Sequence, residues 1–486
     1  MSRPETVRTR APRPNRREML GTTMLAAGGL LSGCATFGAS GASALRGEAL
    51  IDDVARRTFR FFWDTTNPAN GLTPDRYPSK SFASIAAVGF ALTAYPIGVE
   101  QGWITRVQAR DRTLATLRFF WSAPQGPEPS GVTGHKGFFY HFLDMETGHR
   151  YGRTELSTID TTLLFGGMLF AAQYFDADEA GEAEIRDLAK RIYERADWAW
   201  FVDDAPVVSM GWHPESGFIA ADWVGYNEAM LLYVLGLASP THPLSADAWQ
   251  GWVAGYEPDW ITLYGQHFLG FAPLFGHQYS HVWVDFRGIQ DAPMRAAGMD
   301  YFENSRRAAL AQRGYGAANP MGWRGYDENV WGWTACDGPG GGKLTYNGET
   351  REFRSYSARG VSGTHPFDDG TIAPTAALGS FAFVPQEATA AAQAMVARYG
   401  RRLYGDYGFL DSFNPSYTFE NKAPHSIVDP ELGWFDQDYL GIDQGPILAM
   451  IANHRTDFVW KYMRRDPLIV RGLKRAGFTG GWLDRA

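Results

Sequence analysis

"STIDTTLLFGGMLFAAQYF", residues 157 to 175, is apolar on nearly every side, whereas "EAEIRDLAKRIYERADWAW", residues 182 to 200, carries a charged face and an apolar one. A helix without a polar face has to be buried all round, and Gly and Ala within it let neighbours approach closely. An amphipathic helix keeps one face in water. The two kinds alternate. Charged segments occur at 51–64, 106–121, 182–200, 245–256, 292–313 and 386–405. Apolar ones occur at 82–98, 157–175, 227–238, 268–284, 370–383 and 443–454. Six of each, with the charged kind leading, predict an outer and an inner ring of six helices, an all-α (α/α)6 barrel, in one domain over residues 47–486.

Residues 1–33 stand apart, because "RPNRREMLGTTMLAAGGLLSGC" has a basic head, an apolar run and a small-residue processing site. Arg16 and Arg17 resemble a twin-arginine export pair, and Leu31-Ser32-Gly33-Cys34 resembles a bacterial lipobox in which Cys34 takes the lipid. The expectation is an exported, periplasmic lipoprotein with residues 34–46 as linker, and no internal disulfide, since only Cys336 would remain. Ala35 after Cys34 lacks the Asp that resembles an inner-membrane retention signal, which favours the outer membrane. Without the six Arg and two Glu of the leader, the 45 basic and 53 acidic residues leave a formal charge of −12. Such an acidic chain argues against nucleic acid as a partner. With 17 Trp and 22 Tyr, the rings suit a large core or stacking on sugars.

A double ring puts the inner-helix N-termini at one end. Asp160, Glu228 and Asp443 all fall at such starts, and the long connections 122–156, 314–370 and 405–442 feed the same end. Each carboxylate has a plain structural explanation. Asn227 can cap a helix with Glu228 in its first turn, Ser157 to Asp160 has capping-box spacing, and Asp443 precedes Gln444-Gly445-Pro446. Asp411, in "YGDYGFLDSFNPSY", has no helix to cap and sits in a loop among aromatic residues. "HQYSH" sets His277 and His281 four apart, but Gln278 stands where a metalloprotease motif needs Glu, so no metal is expected and a sugar-facing role is. "DGPGGGK", 337–343, lacks Walker spacing and reads as a loop near the mouth. Carboxylates and rings at one end of a helical barrel suit glycoside hydrolysis, in which one carboxyl protonates the leaving oxygen and another activates water. Glu228 and Asp411 are the candidate pair.

The motifs "NGLTPDR" (70–76), "GHKGFFYHFLDM" (134–145), "ELSTIDTTLL" (155–164), "GYNEAMLLYVLGLASPTHP" (225–243), "HQYSHVWVDFRG" (277–288), "ENVWGWTACDGP" (328–339), "DDGTIAPTAALGS" (368–380), "YGFLDSFNPSY" (407–417) and "GIDQGPILAMI" (441–451) resemble the glycoamylase-like family over residues 50–465. The resemblance implies a glycoside hydrolase family 144 enzyme, an (α/α)6 protein that cuts β-1,2-glucan with inversion at the anomeric carbon and needs no cofactor. It implies the general acid at Glu228 and the base at Asp411, with Asp160, Asp443 and Asp144 able to share the work. In the family the base is thought to reach its water through a substrate hydroxyl. A 1,2-linked chain has its internal O2 tied up in the linkage, so recognition must use O3, O4, O6 and stacking.

Tyr140, His141, Asp144, Asp160, Arg287, Trp331, Trp333, Tyr356, Arg359, Asp368 and Asp443 are the expected sugar contacts. Trp331 and Trp333 can also be core, and Arg287 can pair with Asp285. Endo cleavage is favoured, exo release of sophorose is the alternative, and a non-catalytic glycan-binding lipoprotein is the reading from another class. A monomer that touches membrane only through its lipid is expected.

Overall fold

The computed structural model describes residues 45–362 and 366–486; the leader, Cys34 and most of the linker lie outside them. The chain runs in helix pairs. α1 (Glu48–Thr65) leads to α2 (Ile85–Glu100), α3 (Arg106–Ser122) to α4 (Thr158–Tyr174), and α5 (Ala180–Glu194) to α6 (Met230–Ala238). Then α7 (Ala248–Val253) leads to α8 (Tyr279–Trp283), α9 (Ala292–Ala297) and α10 (Tyr301–Ala318) lead to α11 (Pro374–Gly379), and α12 (Pro385–Tyr399) to α13 (Gly441–Thr456). α14 (Phe458–Met463) and α15 (Pro467–Arg475) follow.

The second member of each pair is buried along its length, and these helices pack on one another: α2 lies between α4 and α13, α4 beside α6, and α11 beside α13. Small residues set the spacing. A Cβ on Gly89 would lie 2.2 Å from the Leu163 carbonyl oxygen, and one on Gly167 would lie 2.1 Å from that of Gly89. Polar links tie the ring where it is apolar otherwise: Trp283 Nε1 donates to Thr93 Oγ1 at 3.0 Å, Asn453 Nδ2 to Val282 O at 3.0 Å and Gln278 Nε2 to Ala376 O at 2.7 Å. The first members carry the solvent face, with α3 on α5 and α1 on α12.

Three segments depart from the expected pattern. The apolar stretch 268–284 is not one helix: its start pairs as strand Gln266–Leu269 with Trp260–Leu263, and a 3-10 turn at Leu274–His277 precedes the five-residue α8. Gly270, Pro273 and Gly276 in that run account for the break. The segment 292–313 splits at Gly298, which takes φ 66°, and Asp300 then caps α10. In place of the short α7, α15 covers α6: a Cβ on Gly472 would lie 2.1 Å from Val234 O, and Arg475 donates to Leu237 O at 2.7 Å. Neither α14 nor α15 was foreseen.

Short antiparallel strands qualify the all-α expectation, and they gather at the starts of the buried helices. Arg76–Tyr77 pairs with Tyr439–Leu440 just ahead of α13, and Ala83–Ser84 pairs with Phe142–Leu143 just ahead of α2. A five-stranded sheet runs Gly134–His135, Phe138–Tyr140, Leu156–Ser157, Gly211–His213, Gly217–Phe218, and its middle strand delivers the chain into α4. Helices therefore form the framework, with short strands lacing one end of the helix set. Gly167→Ala is expected to force α2 and α4 apart and cost about 1–3 kcal/mol, read as a lower urea midpoint at unchanged slope.

Candidate active site

Three helix starts converge through side chains. Glu228, 6% exposed, stands two residues before α6, where the Asn227 side chain accepts from Ala229 N at 3.0 Å. Asn227 thus closes a turn, and Glu228 precedes the helix instead of lying in its first turn. Its backbone carbonyl accepts from Ser280 Oγ of α8 at 2.9 Å, and that hydroxyl in turn accepts from Leu231 N at 3.0 Å. The neighbouring Tyr279 hydroxyl donates to Asp443 Oδ1 at the start of α13 at 3.4 Å.

Beyond Asp443 lies a nest of acids. Asp411, fully buried, follows strand Gly408–Phe409, and its Oδ2 accepts from Asp337 N at 2.7 Å. Asp337, Asp411 and Asp436 each offer a carboxylate oxygen within 4.8 Å of the other two. Arg76 supplies the cation: its Nη1 lies 2.7 Å from Asp337 Oδ2 and 3.7 Å from Asp438 Oδ2. Burial, then Asp443, Asp337 and Asp436, push the Asp411 carboxyl well above its ordinary range. Burial, then Asp337 and Asp438, do the same to Asp436.

At the start of α4, the Ser157 hydroxyl accepts from Asp160 N at 3.1 Å and donates to Asp160 Oδ2 at 2.6 Å. His141 bridges two acids, with Nδ1 2.9 Å from Glu155 Oε1 and Nε2 3.5 Å from Asp160 Oδ2. One donor atom from each of His141, Glu155 and Asp160 falls within 4.8 Å, a span that a metal ion could bridge. Tyr140 is buried beside them, its hydroxyl pushed up to about 12 by burial, with the Arg150 guanidinium 4.7 Å from its ring centre. A cavity of about 510 Å³, lined by Gly340–Gly342 and Phe353–Ser357, begins three residues after Asp337 and includes Tyr356.

Several expected contacts are engaged with other groups of the protein. Arg287 follows the C-terminal end of α8, the end away from Glu228, where it pairs with Asp285 at 2.8 Å and Asp457 at 2.9 Å. Trp331 and Trp333 are fully buried; Trp333 Nε1 donates to Tyr326 OH at 3.1 Å. Arg359 is buried in an ion pair with Asp369 at 2.8 Å and also clamps the carbonyls of Cys336, Arg354 and Ser355. Asp368 accepts from Tyr326 OH at 2.6 Å, Tyr315 OH at 2.8 Å and Gly370 N at 2.9 Å. Asp144 closes its own turn by accepting from Glu146 N at 3.1 Å and Thr147 N at 2.8 Å. His277 and His281 lie in the interior. Both are fully buried and pushed down to about 3 by burial, and His281 Nε2 lies 3.1 Å from Ser305 Oγ of α10. Glu155, Arg76, Asp337, Asp436 and Asp438 were not singled out in the sequence. The first three lie inside the resemblance motifs, and the last two lie in "WFDQDY", where nothing but the density of acid marks them.

Residues 220–467 match the family model Glycoamylase, whose description, "Putative glucoamylase", is shared by a solved structure from Bacteroides uniformis. That structure is 31% identical, with TM-score 0.76, over 90% of this chain and 98% of its own. An endo-β-1,2-glucanase from Chitinophaga pinensis, solved with sophorotriose and glucose, is 27% identical with TM-score 0.75 over 90% of this chain and all of its own. An exo β-1,2-glucooligosaccharide sophorohydrolase acting at the non-reducing end, from Parabacteroides distasonis, is 27% identical over 460 residues, 88% of this chain. The chain spans 58% of that relative's length.

A carboxyl raised on folding binds its proton more tightly in the folded chain. Its contribution to stability is therefore intact below the unfolded value of about 4 and is lost as pH rises through the raised one. Asp411→Asn is expected to melt about 2 °C or more above the wild type at pH 8, with the gap closing toward pH 4, in scanning calorimetry.

Proposed function

The chain belongs to the Glycoamylase family, and from that premise we propose that it is an inverting glycoside hydrolase of β-1,2-glucan, endo-acting, built as an (α/α)6 barrel of six inner and six outer helices. The helix pairing and the buried second members support that architecture. One observation carries the function: Glu228 and the Asp411 nest stand at the starts of the same helix set, joined through Ser280, Tyr279 and Asp443. Isolated caps would not need to meet.

In the proposed reaction Glu228, protonated, gives its proton to the glycosidic oxygen as the C1–O bond breaks. Water attacks C1 from the opposite face, and its proton passes to Asp411. To Tyr140, His141 and Asp160 we assign the orientation of the sugar next to the cleaved bond. The cavity beside the glycine run falls within the range of about 300–1,000 Å³ usual for ligand sites, and its position next to Asp337 leaves room for further sugar units. That room supports endo cleavage. Residues 1–34 support an exported, Cys34-anchored lipoprotein at the outer membrane, and Cys34→Ala should shift the protein from membrane to soluble fractions.

Glu228→Gln is expected to reduce turnover of linear β-1,2-glucan by at least ~10²-fold with an unchanged melting temperature, since a positioned acid contributes about 10²–10⁴. Wild-type protein should yield mixed oligosaccharides early, and none from β-1,3-, β-1,4- or α-1,4-glucans. Disaccharide alone would replace the endo reading with the exo one. Turnover close to wild type in the variant would remove Glu228 from the mechanism. Because Asp411 must be ionised to work and its carboxyl is raised, kcat/KM should fall with acid along a limb that lies above the ordinary Asp value of about 4.

A further inference from the structure

Asp411 and Asp436 are buried to 0% and 2% exposure, and each has one oxygen already engaged. Asp411 Oδ2 accepts from Asp337 N at 2.7 Å, and Asp436 Oδ1 accepts from Gln437 N at 2.7 Å and Asp438 N at 3.4 Å. Asp411 Oδ1 and Asp436 Oδ2 have no hydrogen-bond partner among the described residues. Two ionised carboxylates this close in a dry site would repel, and one proton on the pair removes one of the two charges and turns one bare acceptor into a donor.

We propose that the base of the reaction is not Asp411 alone but the carboxyl pair Asp411–Asp436, which holds one proton between its members, with Asp436 as the positioning residue and Arg76 as the cation that keeps the pair from holding two. This rests on the reading of Asp411 as the residue that faces water.

The surrounding charges fit a pair with one proton. Asp337 lies within reach of both members, Asp443 acts on Asp411 from α13, and Asp438 acts on Asp436 from two residues along the chain. Arg76, next to Asp75 on the strand paired ahead of α13, is the cation bonded into this group. Burial opposes the Arg76 charge, but Asp337, Asp75, Asp436 and Asp438 more than offset it, so the guanidinium stays charged. The neighbouring Cys336 thiol is pushed well up by burial and stays neutral; the Arg359–Asp369 pair beyond it is self-compensated. In turnover the shared proton rests on Asp436 while Asp411 Oδ1 takes a proton from water. The pair leaves the step doubly protonated and returns one proton to solvent.

The test is the pH dependence of kcat/KM on linear β-1,2-glucan for Asp436→Asn, Asp436→Glu, Arg76→Gln and Asp411→Asn, each checked for melting temperature. With the shared proton on Asp436, that side chain is neutral in the working enzyme and Asn is neutral too, so the acid limb of Asp436→Asn should stay within about half a unit of wild type, as should that of Asp436→Glu, with turnover still measurable. Arg76→Gln removes a positive charge, so its limb should move up. An acid limb lowered by about one unit or more in folded Asp436→Asn, with Asp411→Asn inactive, would show Asp436 ionised beside Asp411, overturn the shared proton and leave Asp411 as a lone base; an unmoved limb in Arg76→Gln would overturn the role of the cation. Loss of all turnover in folded Asp436→Asn would make Asp436 itself the base and overturn its positioning role. An active Asp411→Asn would overturn the prior reading of Asp411. Should Asp436→Asn fail to fold, the direction of the Arg76→Gln limb decides.

Discussion

A helix that is buried on every side can hold charge only at its ends. α4, α6 and α13 have no face on which a carboxylate could meet water, so Asp160, Glu228 and Asp443 gather where backbone N–H groups are still unpaired and the helix dipole favours negative charge. Those ends lie together, because the strands that precede α2, α4 and α13 pair with one another's neighbours and draw the starts to one side. Glu228 and Asp443 are thus linked, through Ser280 and Tyr279, as a consequence of how the apolar helices are packed. The close approach at Gly89 and Gly167 belongs to the same constraint, since a wider ring would separate the acids that it now concentrates.

Concentrated acid has to be compensated. On the Asp160 side, His141 lies between Asp160 and Glu155, and the Ser157 hydroxyl donates to Asp160. On the Asp411 side a single guanidinium, Arg76, reaches Asp337 and Asp438 and faces Asp436. Compensation there is incomplete, and both Asp411 and Asp436 are raised. A site with no excess of acid would hold its carboxylates ionised but weakly basic. The excess is what raises the affinity of a buried carboxylate for a proton.

The sequence revealed the helices better than the residues around them. Apolar runs with Gly and Ala mark α2, α4, α6 and α13 because burial on all sides leaves no other composition possible, and a carboxylate at the start of such a run is visible at once. The broken stretch before α8 was misread because Gly270, Pro273 and Gly276 interrupt an apolar run without changing its hydropathy. Asp436, Asp438 and Arg76 reach the site from strand ends, where nothing in a period-two or period-3.6 pattern distinguishes a functional acid from a solvated one. Arg287 illustrates the converse. Its motif is apolar and aromatic like the others, but it follows the C-terminal end of its helix, where Asp285 and Asp457 take both sides of the guanidinium. Trp331 and Trp333 likewise show that a ring in a family motif can serve the core.

The Arg359–Asp369 pair shows how such a core supports the site without touching it. Both groups are fully buried, and the guanidinium spends its remaining donors on the carbonyls of Cys336, Arg354 and Ser355. Those three carbonyls belong to the two segments that border the cavity beside Asp337. The approach is close, since a Cβ on Gly338 would lie 2.0 Å from Arg359 Nη2. A buried ion pair adds little to stability by itself, because desolvation offsets the attraction. What it does here is geometric: it fixes the distance between the glycine run and the Phe353–Ser357 segment, and Asp337, one residue before Gly338, is held with them. The backbone N–H that Asp337 offers to Asp411 is therefore positioned by an ion pair that sits outside the reacting groups.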